Sequence, residues 1–356
     1  MRENSSEISY RLPGQYRCLH SVPSLIQEAL SQRPHDVFVK ARFKYRRAIG
    51  RNHARLHHSR RYETVIKRSF PRRDLMELTQ AQIGRYEDDG LLIVDDDFTR
   101  EEMALLKHEA MRELGEDRVG LVAEDGTERP RAVNGSHLRN PVFSELIRVP
   151  QLIRPAEQLL GSRVYVHQFK INAKLAFIGE RWEWHQDFTF WRDADQMQAP
   201  RAVTACITLD DIYEFNGPLM FIPGSHRGGE YPVEVRDNGG DDWQQYFGAE
   251  MKYKANRKLI AELADAHGVT VPKLKRGSVM FFHPNVYHAS SANMSPYDRT
   301  MLYITYNSVE NVLPPSARPR PEFIAARDFT PVAEGTRRLL DVGDAQRGHA
   351  SLSGSD

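Results

Sequence analysis

The residues best placed to do chemistry lie in Trp182-Glu183-Trp184-His185-Gln186-Asp187-Phe188-Thr189-Phe190-Trp191. His185 and Asp187 form a His-x-Asp pair. In an extended strand alternate side chains point to one face, so both can reach a single metal ion. A third ligand has to come from elsewhere in the chain, and His288 in Tyr287-His288-Ala289-Ser290 is the candidate. Two histidines and one carboxylate on one face of a metal leave the opposite positions open, the arrangement of non-haem Fe(II) oxygenases. Arg299 opens the β-rich run that follows His288. An arginine there can grip a carboxylate bidentately, as an oxidised co-substrate such as 2-oxoglutarate requires. A His-x-Asp tripeptide alone is a weak signal, because a surface His–Asp pair gives the same letters. Its aromatic, strand-like setting and the downstream His288 and Arg299 give it weight. His283 is a rival ligand, but it lies between Phe281-Phe282 and Pro284 and reads as a strand-end or turn residue. His167 and His226 read as hydrogen-bonded structural residues.

The elements that must position these groups follow from periodicity and capping signals. Thr79 with Gln82, and Thr99 with Glu102, read as capping boxes, each opening a helix. The first helix stops near Gly90, and the second places Met103, Leu106, Ala110 and Leu114 on one face. Leu91–Val94 reads as a short buried strand between them. Residues 116–142 are polar and rich in Gly and Pro, and read as a long loop, either a site cover or a surface excursion. Gln151–Leu160 reads as a helix ended by Gly161. From residue 163 the pattern changes to strands: 164–172, 203–209, 219–222, 278–282 and 300–306. Asn216-Gly217-Pro218 and Pro223-Gly224-Ser225 read as turns. A helix over 256–266 interrupts the run. Helices first and many strands later predict an α+β chain built round a jelly-roll core.

Composition limits the alternatives. With 356 residues, 40% hydrophobic and 27% charged, the chain reads as a soluble globular protein with a sizeable core. A formal net charge of +1 gives no global reason to expect nucleic acid or an anionic membrane as partner. Two cysteines, Cys18 and Cys206, imply no disulfide framework. No apolar run approaches the ~20 residues that span a bilayer. The start carries no apolar signal core. The expected location is cytoplasmic. Base is concentrated between Lys40 and Arg73 with few acids among it. This stretch reads as a solvated helical extension packing on the acidic body or on a second subunit, which would make a homodimer. The alternative is an arm that docks a polyanion or an acidic partner. The expected organisation is a basic extension over 1–74, a catalytic domain over 75–330 and a polar tail over 331–356.

The run Asn216-Gly217-Pro218-Leu219-Met220-Phe221-Ile222-Pro223-Gly224-Ser225-His226, together with the His-x-Asp pair, resembles the phytanoyl-CoA dioxygenase superfamily, and within it the ectoine hydroxylases. Further matches are Val164-Tyr165-Val166-His167-Gln168, His288-Ala289-Ser290-Ser291-Ala292-Asn293, Tyr306-Asn307-Ser308-Val309-Glu310-Asn311 and Pro319-Arg320-Pro321-Glu322-Phe323-Ile324-Ala325. The resemblance implies a double-stranded β-helix core, and Fe(II) on His185, Asp187 and His288. It implies 2-oxoglutarate held by Arg299 with Lys174, Asn172, Thr204 and Ser290 as helpers, and O2 as oxidant. It places the substrate pocket at Gln168, Trp191, Phe282, Tyr303 and Arg320, with Arg320 meeting a substrate carboxylate. The chain departs from the ectoine signature at Gln186, at Thr189-Phe190 and over Arg192–Gln196, and Lys170 stands where the family usually has Arg. The implied reaction is hydroxylation of a small amino acid or an ectoine-like molecule, with release of succinate and CO2. The same chemistry could instead desaturate or epoxidise a natural product, or act on a carrier-bound substrate docked by the basic arm. From another class, the chain could be a binding protein that keeps a relic site.

Overall fold

The computed structural model describes residues 77–94, 98–116, 118–236, 243–248 and 251–352. The predicted basic extension over 1–74 and residues 353–356 of the predicted tail lie outside them. Thr79 N donates to Gln82 Oε1 and Gln82 N to Thr79 Oγ1, a complete capping box for α1 (Gln80–Asp89). Gly90 ends this helix in the left-handed region at φ 70°. β1 (Leu91–Val94) follows. Thr99 and Glu102 cap α2 (Arg100–Gly115) in the same way, and Met103, Leu106, Ala110 and Leu114 are buried on its core face.

Residues 116–142 correct the expectation of a loop. They contain β2 (Leu121–Ala123), β3 (Pro130–Asn134) and a 3-10 turn at Ser136–Leu138, then enter α3 (Pro141–Leu146). The two strands make a hairpin that extends the main sheet beyond β4 (Val164–Lys174). Such short strands, carrying Arg131 and Asn134 among buried positions, have too little apolar periodicity to be read. α4 (Pro150–Leu160) ends at Gly161 as predicted, and that glycine lies in the left-handed region at φ 61°.

The main sheet is antiparallel in the order β1-β10-β6-β12-β4-β3-β2, with β6 (Ala202–Thr208), β10 (Val279–Phe282) and β12 (Arg299–Ser308) at its centre. Period-two alternation divides its side chains. Phe169, Ile171, Ala205, Ile207, Phe281, Leu302 and Ile304 enter the larger apolar core with residues of α2, α3 and α4. The opposite face carries Gln168, Lys170 and Asn172 on β4, Thr204 and Cys206 on β6, Met280 and Phe282 on β10, and Arg299 and Tyr303 on β12. Register confirms this grouping: Tyr303 pairs with both Lys170 and Cys206, and Thr305 with both Gln168 and Thr204. A second sheet, β5 (Trp182–His185), β11 (His288–Ser290) and β7 (Leu219–Phe221), confronts that face. Two opposed antiparallel sheets with helices on the outer face of the larger one make the predicted jelly roll. β8 (Val233–Val235) and β9 (Tyr253–Ala255) form a separate ribbon, and α6 (Arg257–His267), capped by Asn256, answers the helix expected over 256–266.

The chain beyond Thr330 corrects a second expectation. Val332 N donates to Val164 O, and α7 (Leu339–Leu352) buries Leu339 and Val342 in the same core as α2. Among the described side chains of this helix the buried apolar ones are Leu339 and Val342, which leaves a faint periodic signal, so the segment reads as a polar tail.

His137 in the 3-10 turn stacks on Phe169 at 5.3 Å, and its Nδ1 is buried without a partner. Burial, then the neighbouring Arg139, hold its pKa down at about 4. The unfolded chain takes up this proton below about pH 6.5 and the folded chain does not until about pH 4. The neutral ring's contribution is therefore complete above pH 6.5 and lost as pH falls to 4, by about 3 kcal/mol. His137→Phe is expected to flatten the fall in melting temperature over that window. A slope identical to wild type would assign the loss to other groups.

Candidate active site

β5 and β11 bring the two histidines together. They are antiparallel neighbours with His288 directly opposite His185, and the rings lie 4.2 Å apart between centroids. The strand ends at His185, which corrects the expectation of an extended run to Trp191: α5 (Asp187–Asp195) begins at the second ligand itself. Gln186 is still extended at φ −110° and ψ 129°, so alternation holds over the residues that matter, and Asp187 shares the face of His185. Gln186 points the other way and is buried, donating to the carbonyls of Gly229 (2.8 Å) and Asn285 (2.7 Å). It ties the ligand turn to two neighbouring loops.

His185 Nδ1 lies 2.6 Å from Glu183 O, and His288 Nδ1 3.1 Å from Val286 O. A carbonyl only accepts, so each Nδ1 must carry the proton. Each Nε2 is thereby left as a lone-pair donor aimed at Asp187 Oδ1, at 3.4 Å for His185 and 3.8 Å for His288. The three ligand atoms all lie within 4.8 Å of one another, as a single ion requires. Burial raises the Asp187 pKa, but His288, His185 and Lys170 outweigh it and hold the carboxyl at about 2, ionised and ready to ligate. Burial, then His185, keep His288 at about 4, so its ring is neutral at pH 7. This donor set fits Fe(II): two imidazoles and one carboxylate grouped on one side. His283 stays outside the cluster, accepting from Asn285 N at the end of β10.

Two open-mouthed cavities meet at the triad. Both are lined by Lys170, Trp182, His185 and Asp187. The first, of ≈ 370 Å³, continues along Asn172, Leu219, Phe282, Ser290 and Tyr303. The second, of ≈ 360 Å³, continues along Gln168, Phe190, Trp191, Tyr246, Phe247 and Arg320. Predicted pocket residues therefore divide: Gln168, Trp191 and Arg320 line the second cavity, while Phe282 and Tyr303 line the first. This corrects the expectation of one pocket for all five, and the reason is strand order. Phe282 and Tyr303 face the cavity from β10 and β12, whereas Trp191 is on α5 and Arg320 on the C-terminal strap, the irregular segment 309–331 that follows β12.

Ser290 Oγ is buried in the first cavity without a hydrogen-bond partner, as an acceptor-rich ligand would require. Arg299, fully buried, donates to Gly217 O through Nε (3.1 Å) and Nη2 (2.6 Å) and to Asn172 Oδ1 through Nη1 (3.3 Å). It stands directly behind Asn172 rather than on the cavity wall. Two predicted helpers line neither cavity. Lys174 Nζ donates to Glu180 O and Ser291 O, both at 2.6 Å, and its pKa is driven down to about 5 by burial, then by Arg299 and Arg131. The Thr204 hydroxyl pairs with Thr305 at 3.1 Å. Gly217 at φ 78° is required here, because a Cβ would come within 2.6 Å of Lys174 Cδ.

Lys170 is the main residue missed among the assigned positions. It sits between Gln168 and Asn172 on the same strand face, so strand parity alone would have found it. Burial lowers its pKa while Asp187 raises it, and its Nζ lies 5.0 Å from the ring centroids of Trp182 and Tyr303. Trp182 is held from another side by Arg131, whose guanidinium carbon lies 4.1 Å from the indole centroid. Arg131 also donates to Glu124, to Arg181 O and to Phe247 O, tying the hairpin to both cavity walls. Tyr246 and Phe247 come from a segment with no periodic signal.

A facial His-Asp-His triad inside a jelly roll defines an Fe(II)- and 2-oxoglutarate-dependent dioxygenase. The phytanoyl-CoA dioxygenase profile matches residues 86–301, and the chain belongs to that family. It is 39% identical over 250 residues to L-proline trans-4-hydroxylase of Streptomyces griseoviridis, covering 70% of this chain and 92% of that protein. It is 36% identical over 257 residues to ectoine dioxygenase of Bordetella bronchiseptica, covering 70% and 83%. EctD from S. alaskensis with 2-oxoglutarate and 5-hydroxyectoine superposes with a TM-score of 0.63 at 30% identity, covering 73% of this chain and 88% of that one. The same enzyme with bound Fe gives 0.63 at 29% identity, covering 74% and 89%. The protein is an oxidoreductase that uses iron, 2-oxoglutarate and O2, so the reading as a relic binding protein falls away. Among the described residues no helix is long and apolar enough to cross a membrane.

Proposed function

We propose that this enzyme hydroxylates a C–H bond of a small cyclic amino acid, with L-proline favoured over ectoine. Iron and 2-oxoglutarate supply the oxidising power: 2-oxoglutarate and O2 become succinate and CO2 as one oxygen atom enters the C–H bond. The chain's own residues bind, orient and exclude water. On the first side, Ser290 and Asn172 meet 2-oxoglutarate, Arg299 supplies from behind Asn172 the positive charge that draws in its distal carboxylate, and Lys170 adds its amine near the junction. On the second side, Arg320 meets the substrate carboxylate, Gln168 offers its amide, and Trp191, Phe190 and Tyr246 enclose the aliphatic ring. Lys174 and Thr204 support these groups from behind.

The observation that carries this reading is the pair of cavities sharing one triad, the second ending in a guanidinium among aromatic walls. A compact substrate with a carboxylate at one end and a saturated carbon toward the iron fits that order. The departures from the ectoine signature at Thr189, Phe190 and Arg192 lie on the helix bordering this cavity, and the likeness to a proline hydroxylase supports the smaller ring. The test is substrate-stimulated succinate release over L-proline, ectoine and other free amino acids, with the product mass measured. L-proline should give the highest kcat/KM and a product heavier by one oxygen. Stimulation by none of these molecules would sink the reading, and a product lighter by two hydrogens would make the enzyme a desaturase.

A further inference from the structure

Asp195 is fully buried at the last position of α5, the helix whose first residue is the iron ligand Asp187. A carboxylate there is electrostatically misplaced. The C-terminal end of a helix carries partial negative charge, so an acid in its last turn is destabilising. Nothing about helix stability explains Asp195, and its contacts point to the substrate side. Its Oδ1 accepts from Arg320 Nε at 2.8 Å and its Oδ2 from Arg320 Nη2 at 2.5 Å, a bidentate pair. His167 Nε2 stands 3.4 Å from Oδ2, on a ring that is buried and packs edge-on against Trp191 at 5.3 Å. Burial raises the Asp195 pKa, but Arg320 and His167 more than reverse it and hold the carboxyl at about 2. It is therefore a permanent charge at any working pH.

The pairing changes what Arg320 can offer. The Nε/Nη2 edge is already taken, which leaves Nη1 and the outer N–H of Nη2 for the cavity and fixes the direction in which they point. The pair also sums to zero charge. Among the described residues lining this cavity, the remaining cation besides Arg320 is Lys170, which belongs equally to the first cavity. We propose that Asp195, backed by His167, is a positioning and specificity-determining residue: it orients Arg320 and neutralises it, so that the cavity selects net-neutral zwitterions over substrates bearing a second carboxylate. This deepens the amino-acid reading above and rests on it. The same helix then registers the metal ligand at one end and the substrate anchor at the other.

Asp195→Asn keeps the shape and removes the charge. The experiment uses whichever amino acid the wild-type enzyme turns over, so a wrong choice of L-proline leaves it intact. Substrate KM is expected to rise about tenfold or more while kcat changes less than about threefold, with KM for 2-oxoglutarate unchanged. The ratio of kcat/KM for a dicarboxylic analogue to that for the monocarboxylic substrate should rise about tenfold. Asp195→Glu, which keeps the charge, is expected to bring substrate KM back to within about threefold of wild type. Substrate affinity from calorimetry on the metal-free protein should move in parallel with KM. Unchanged substrate KM and charge selectivity in Asp195→Asn would overturn the proposal. So would a joint rise of both KM values with a fallen melting temperature, which is the signature of a purely structural residue. Were Asp195→Asn not to fold, Asp195→Glu decides: a wild-type preference for zwitterions supports the proposal, and a loss of it despite the retained charge overturns it.

Discussion

Replacing His185, Asp187 or His288 with alanine should abolish substrate-stimulated succinate release, a loss in kcat of at least about a thousandfold in each case. The expectation follows from the number of ligands. Three groups hold the ion on one side, and removing any one leaves two, in a site whose open positions must serve the co-substrate and oxygen. The geometry offers no substitute. His283, the nearest rival in sequence, is committed to Asn285 N, and its pKa is held at about 4 by burial, then by His226. Asp187→Ala also strips the negative charge shared by His185, His288 and Lys170, so the three groups arranged around it lose their common partner. Iron content after loading should fall with turnover in all three variants, while the outer core, built from the other face of the main sheet, keeps its cooperative melting. Residual turnover above about one per cent in any of them would mean that the triad is misassigned.

Arg299→Ala should raise KM for 2-oxoglutarate about a hundredfold while iron loading persists. Arg299 is a fully buried guanidinium one hydrogen bond behind Asn172, which lines the first cavity, and removing a charged group that faces a buried carboxylate costs several kcal/mol. Truncation also leaves Gly217 O and Asn172 Oδ1 without their donor, so a loss of stability of about 1–3 kcal/mol should accompany it. Arg299→Lys separates the two effects: it keeps the charge and should show a smaller rise in KM with a similar loss of stability. An unaffected KM for 2-oxoglutarate would transfer the distal carboxylate to another cation. Lys170 is then the candidate, because Lys174 already spends its donors on two backbone carbonyls.

Local signals in the chain were enough for much of the scaffold. The two Thr-x-x-Gln/Glu boxes, Gly90 and Gly161 each act through contacts within one turn of helix, and the alternation along 164–172 reflects one strand against a core. They need no partner to be legible. The His-x-Asp pair is of the same kind, since three residues of extended chain suffice to put two ligands on one side. His288 and Arg299 could be named because each sits in a β-run with a chemically specific task.

Other features depend on which strands lie side by side, and that information is spread over the whole chain. Strand order assigns Phe282 and Tyr303 to one cavity and Trp191 and Arg320 to the other, although all four suit a pocket by type. The hairpin of β2 and β3 is a sheet edge stabilised by its neighbour β4 and by the buried Arg131, and neither shows as periodicity. Asp195 is the sharpest case. As a letter it is one acid in a polar string, and its meaning comes from Arg320, brought to it from the far end of the domain by the fold. Chemistry that rests on residues close in sequence can be read from their spacing. Charge partners, cavity walls and second layers cannot, because long-range packing chooses them. The reaction could therefore be read from the ligand turn, while the grip on the substrate depends on how the C-terminal strap closes over α5.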